Sequence, residues 1–160
     1  ADFHLRLTNG GTMYKHILIT TDGSRLAAKG VKAGMKLAKA LGARVTGVYV
    51  IPPYTPPMYG EAAIYVPGVS PQEYKRYAEK AARKALAVVE IEAQAAGVSC
   101  ATQFVTADQP WQGILRVARA RKCDAISMAS HGRGGLGGLI LGSETMRVLA
   151  HSKVPVLVTR

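Results

Sequence analysis

The residues best placed to do chemistry form one glycine-rich stretch, Ala129-Ser130-His131-Gly132-Arg133-Gly134-Gly135-Leu136-Gly137-Gly138, closing after three apolar residues at Gly142-Ser143. The run before it, Asp124-Ala125-Ile126-Ser127-Met128, reads as a buried strand. The run after it, Ser143-Glu144-Thr145-Met146-Arg147-Val148-Leu149, reads as a helix opened by a serine cap. A loop of this composition between a strand and a helix N-terminus offers backbone N–H groups to an anion. Glycine supplies the unusual dihedrals and lets a phosphate approach closely. The chemistry indicated is the binding of a phosphate-bearing ligand. His131 sits in that polar loop without an evident Ser/Asp relay, so it reads as a hydrogen-bonded loop residue and no catalytic residue is assigned.

Two phosphate-binding patterns fail on context. Gly132-Arg133-Gly134-Gly135-Leu136-Gly137 matches GxGxxG, but the dinucleotide fingerprint opens the first βα unit and is followed by an acid about 20 residues on. Here the motif follows the fourth strand, 23 residues remain, and no Asp or Glu follows Glu144. A Walker P-loop needs Gly-Lys-Ser/Thr at its end, which is absent.

The elements that must position this loop alternate regularly. Lys15 to Thr21 is strand one, and Asp22-Gly23-Ser24 is a turn with Ser24 as a helix cap. Ala27, Val31, Met35, Ala38 and Leu41 recur at helical spacing until Gly42 stops the helix. Arg44 to Ile51 is strand two. Pro71 to Ala96 is a long helix with proline at its start, Gly97 after its end and a Glu79–Arg83 pair on its surface. Val98 to Thr106 is strand three, and Pro110 to Lys122 is a helix with Trp111, Ile114, Leu115 and Ala118 on one face. Val154 to Thr159 is strand five. Between strand two and the long helix, Pro52 to Val69 holds too many prolines for a regular element. Its tyrosines either cover a planar ligand or cap a core edge.

Alternating strands and helices imply right-handed crossovers and a parallel sheet covered on both faces. Such a sheet binds ligands beyond the carboxyl ends of its strands, where the strand order reverses. Strands one and four flank that point, so Asp22 and the glycine loop face one crevice.

Bulk composition narrows the partners. The chain has 160 residues, enough for one domain with a substantial core. Residues 1–12 lack periodicity and precede Met13-Tyr14-Lys15, so they read as an added leader, with the folding unit at 13–160. No apolar run approaches the roughly 18 residues of a membrane span, and no secretory signal pattern is present. Cys100 and Cys123 belong to no CxxC pair or metal-spaced cluster, so they read as reduced thiols of a cytoplasmic protein. The net charge of +11 is large, but Lys29, Lys32, Lys36 and Lys39 lie on one polar helix face and Arg116 and Arg119 end another helix. No basic-aromatic interleaving accompanies them, so nucleic acid is not the expected partner.

One further pattern fits. Gly132, nine residues, then Gly142-Ser143 matches part of a glycine, two residues, glycine, nine residues, glycine-serine/threonine motif. With Ile17-Leu18-Ile19-Thr20-Thr21-Asp22-Gly23-Ser24 and Val154-Pro155-Val156-Leu157-Val158, it makes residues 13–160 resemble the universal stress protein family, in its nucleotide-binding type. Ala129 stands where that motif has its first glycine. The resemblance implies a single-domain Rossmann-like α/β fold, an open parallel five-stranded sheet of order 3-2-1-4-5. It also implies ATP, with or without Mg2+, in the crevice between strands one and four. Carried over by position, Asp22 would contact the ribose or adenine side, and Thr20, Thr21 and Val50 would line the base pocket. Gly132, Arg133, Gly142, Ser143 and Glu144 would surround the phosphates and ribose, with Gly132 and Gly142 giving N–H groups. Met128, Ala129 and His131 complete the set where strand four ends. The alternatives are that Asp22 is only a turn residue and Ser143 only a helix cap. Glu144 suits a helix's first turn but repels a nearby phosphate.

The implied function is ATP-dependent regulation in a stress response. No Walker acid, no lysine over the phosphates and no base is evident, so any hydrolysis would be very slow. The alternative is a nucleotide-free dimer of the same family acting through protein partners. In the implied order strand five is a sheet edge, and a homodimer is expected through antiparallel pairing of Val156, Leu157 and Val158.

Overall fold

Capping residues set the helices. Ser24 opens the first, its side chain accepting from the Ala27 N–H at 3.0 Å, and the helix runs Arg25–Leu41 (α1). Ser70 and Glu73 form a reciprocal capping box around Pro71, and the second runs Pro71–Ala96 (α2). Both end at a glycine with positive φ, Gly42 and Gly97. The other elements are strands His16–Thr20 (β1), Arg44–Ile51 (β2), Cys100–Thr106 (β3), Ala125–Ala129 (β4) and Val156–Thr159 (β5), and helices Pro110–Ala120 (α3) and Ser143–His151 (α4). The computed structural model describes residues 13–56, 68, 70–131 and 141–160.

The strands form one parallel sheet of order β3-β2-β1-β4-β5, as expected. Helices cover both faces. Ile17, Ile19, Val31, Met35, Val45 and Val89 make the core under α1 and α2. Leu18, Val48, Ile114, Val117, Ile126 and Val148 make the core under α3 and α4. The lysine stripe of α1 is exposed, as its spacing predicts. Among the described residues no helix is long and apolar enough to cross a membrane.

Several boundaries shift from the sequence expectation: β1 is one residue shorter at each end, β4 lies one residue later, and α4 runs on to His151. β3 begins at Cys100 rather than Val98, because the Val98 N–H is used by the carbonyl of Ala93 at the end of α2. α3 stops at Ala120, since Lys122 is left-handed with φ 54°. β5 begins at Val156, because Pro155 has no N–H, although its carbonyl still accepts from Ile126. Of the proline-rich segment, the described part caps a core edge. Tyr54 packs on Tyr74 at 5.5 Å between ring centres, and the Tyr74 hydroxyl donates to the carbonyl of Pro52. Tyr59, Tyr65 and residues 1–12 lie outside the described residues.

His16 carries a pH consequence. Its Nε2 lies 2.8 Å from the Thr46 hydroxyl, and its Nδ1 is buried beside the backbone of Arg121. Burial holds the ring below its ordinary value of 6.5, Arg44 pushes the same way, and Asp124 opposes them. The unfolded chain therefore takes up a proton that the fold resists. Stability is full above the unfolded value and falls as pH drops through it. The urea midpoint is expected to decline from about pH 7 to pH 5, less steeply in His16→Gln. Equal slopes in both proteins would contradict it.

Candidate functional site

The glycine motif and the first turn converge where the sheet order reverses. A cleft of about 420 Å3 opens between β1 and β4, at their carboxyl ends. Thr20, Thr21 and Asp22 supply one rim, Val48 and Val50 a wall, and Met128 and Ala129 the floor. His131, Gly142, Ser143 and Glu144 close the other rim. Ten of the twelve residues picked out by the sequence thus line one cavity. The other two, Gly132 and Arg133, lie outside the described residues.

The details correct two assigned roles. Ser143 is not the cap of α4: it is the first helical residue, the N-cap is Gly142, and no side chain caps that end. Gly142 does not hold its N–H out to a ligand, because that group donates to the carbonyl of Ser130 at 2.8 Å. The donors left over in the α4 first turn are the backbone N–H groups of Ser143, Glu144 and Thr145, which have no partner inside the helix. Free backbone donors at a helix N-terminus are the kind of group that suits an anion. Glu144 does not stand loose beside them. Its carboxylate accepts from the Trp111 N–H at 2.8 Å and pairs with Arg147 at 3.1 Å.

Asp22 accepts from the Ser24 N–H at 2.9 Å, so it builds the turn before α1 while also lining the cleft. The Ser130 hydroxyl lies 3.1 Å from His131 Nδ1. Ala129 continues β4, and among the described residues only Lys122 has positive φ without being glycine. No left-handed backbone therefore demands glycine at 129. Ala129→Gly is expected to leave nucleotide affinity largely unchanged. A gain beyond about thirtyfold in calorimetry, roughly 2 kcal/mol, would show that the methyl group obstructs the cleft.

Several site residues escaped the sequence reading. Pro110 and Ile114 of α3, with Ala27 of α1, also line the cleft. Thr145 is buried, and its hydroxyl reaches the carbonyls of Ala129 and Ser130, each at 3.1 Å. It pins α4 to the end of β4. A threonine in a helix's first turn, facing a core, was the available signal.

An open parallel sheet with helices on both faces and a cleft at its switch point defines a doubly wound, Rossmann-like α/β protein. The model of the universal stress protein family matches residues 13–160, and the chain belongs to that family. A universal stress protein of Thermus aquaticus is 33% identical over 149 residues, covering 92% of this chain and 100% of its own. One from Methanocaldococcus jannaschii is 30% identical over 154 residues, covering 96% of this chain and 86% of its own. The crystal structure of a family member from Burkholderia pseudomallei superposes with a TM-score of 0.72 at 25% identity, over 94% of this chain and 98% of that one. Two more distant structures share the fold. One is a universal stress protein in complex with cAMP, at 22% identity and TM-score 0.64, over 92% of this chain and 97% of that one. The other is the Archaeoglobus fulgidus protein in complex with dAMP, at 19% identity and TM-score 0.56, over 92% and 98%.

Proposed function

We propose that the cleft binds an adenine nucleotide, ATP foremost, and that the protein is a cytoplasmic regulator in a stress response whose occupancy is read by other proteins. The observation that carries this reading is the two-sided cleft. Val48, Val50 and Ile114 give an apolar slot for a planar base, and the α4 N-terminus gives a rim suited to phosphate. The volume of about 420 Å3 suits a ligand of that size. The cAMP and dAMP complexes of the same fold lend support. Thr20, Thr21 and Val50 would hold the base and Asp22 the ribose, with Ser143 at the phosphates. Gly132 and Arg133 would join it there. Mg2+ would arrive on the phosphates of ATP: among the described residues no three His, Cys, Asp or Glu side chains are grouped to hold a metal.

The deciding experiment is to denature the purified protein and identify what it releases. Adenine absorbance with the mass of a nucleotide is the expected result. No released nucleotide, together with no calorimetric signal at millimolar ATP, would overturn the reading.

A homodimer through β5 is proposed beside it. β5 is an edge strand, and Leu157 is 42% exposed beside the inward-facing Val156 and Val158. Met146 and Leu149 of α4 add exposed apolar surface at 55% and 41%. Antiparallel pairing of two β5 edges would satisfy their free backbone groups about a two-fold axis. Light scattering is expected to give twice the chain mass, falling in Leu157→Pro. A wild-type monomer at tens of micromolar would end this proposal. The partner-only reading, without nucleotide, is decided by the same release experiment.

A further inference from the structure

We propose that Glu144 is a positioning residue for the base side of the cleft, acting as a cap supplied to α3 from another helix. This rests on the adenine-nucleotide reading and adds to it a residue that governs base affinity rather than phosphate affinity.

α3 starts without a cap of its own. Its N-cap residue, Gln109, makes no side-chain capping bond, and Pro110 follows at the first helical position. The next N–H, that of Trp111, would be an orphan donor. Glu144, 33 residues away in sequence, accepts it through Oε2 at 2.8 Å. The other oxygen, Oε1, accepts from Arg147 at 3.1 Å, and the same Arg147 nitrogen donates to Gln109 Oε1 at 2.7 Å. Two residues at the start of α3 are thereby clamped to the first turns of α4. The carboxylate faces the positive ends of two helices and a guanidinium, which offset its charge. It is therefore poorly suited to repel a phosphate and well suited to hold a wall.

That wall is the base side. Pro110 and Ile114 of α3 line the cleft together with Val48 and Val50. α3 also lies tightly on Val50: a Cβ placed on Gly113 would come within 2.9 Å of both Val50 methyl groups. If the α3 start drifts, Ile114 and the support behind Val50 drift with it. The phosphate-facing N–H groups of α4 stay where Thr145 pins them.

The test compares adenosine with ATP by calorimetry in three proteins of matching circular dichroism. Glu144→Ala is expected to weaken adenosine and ATP by the same factor, about tenfold. Glu144→Gln keeps an oxygen for the Trp111 N–H and is expected to stay within about threefold of wild type for both. A Gln variant that tightens ATP and leaves adenosine unchanged would mean charge repulsion and overturn the proposal, as would an Ala variant whose loss is confined to ATP. Hydrogen exchange of the Trp111 amide gives a readout without ligand. It is expected to quicken about tenfold in Glu144→Ala and to return in Glu144→Gln; unchanged exchange overturns the cap. Wild-type protein that takes up neither adenosine nor ATP would remove the nucleotide reading, while the exchange rates still decide whether Glu144 caps α3.

Discussion

Gly34→Val is expected to cost about 3 kcal/mol of folding stability, seen as a lower urea midpoint at unchanged slope. Gly34, like Gly30 one turn before it, lies where α1 sits close on β4. A Cβ there would stand 2.7 Å from the Ser127 hydroxyl oxygen and 3.0 Å from both Ser127 Cβ and Ile19 Cδ1. Ser127 and Ile19 are fully buried, so neither has room to turn away. Replacing a helical glycine normally gains up to about 1 kcal/mol of propensity, and the clash must exceed that gain. The buried Ser127 hydroxyl has no hydrogen-bond partner, so Ser127→Ala should itself cost little and should return part of the loss when combined with Gly34→Ala. A Gly34→Val protein as stable as wild type would mean that α1 can lift from β4 freely.

Gly142→Val is expected to weaken ATP at least tenfold, about 1.4 kcal/mol, without unfolding the chain. The reason is steric. Gly142 has φ −60° and ψ 148°, which any residue adopts. A Cβ there would lie 3.2 Å from the Ser130 carbonyl oxygen and 3.4 Å from His131 Cα, and a branched side chain would fill the rim of the cleft. The same carbonyl accepts from the Gly142 N–H and the Thr145 hydroxyl, so displacing it also disturbs the start of α4. Unchanged calorimetric affinity with unchanged circular dichroism would remove Gly142 from the site.

Legibility in the sequence followed the range of the interaction. α2 was bounded correctly at both ends, because Pro71 and Gly97 act through local geometry that any chain would show. Asp22 was legible from its place after strand one, whereas the full strand order and the crevice residues Thr20, Thr21 and Val50 came through the family resemblance. The role of Glu144 was not, because its partner Trp111 lies on a helix whose approach only the folded sheet creates. For the same reason the wall made by Pro110 and Ile114 was not legible, since α3 reaches the cleft only through the folded sheet. Ser143 was misread as a cap because glycine at Gly142 already supplies the extended turn before α4, leaving the serine one residue inside.

The chain has a single tryptophan, and it lies stacked on His151 with ring centres 4.5 Å apart. Indole emission is quenched by a neighbouring imidazolium more strongly than by the neutral ring. Trp111 is therefore an intrinsic optical gauge of the contact between α3 and α4, needing no attached dye. Because its backbone N–H is held by a residue of the cleft, the brightness and colour of that one fluorophore should report, in a cuvette and in real time, whether the pocket wall is seated.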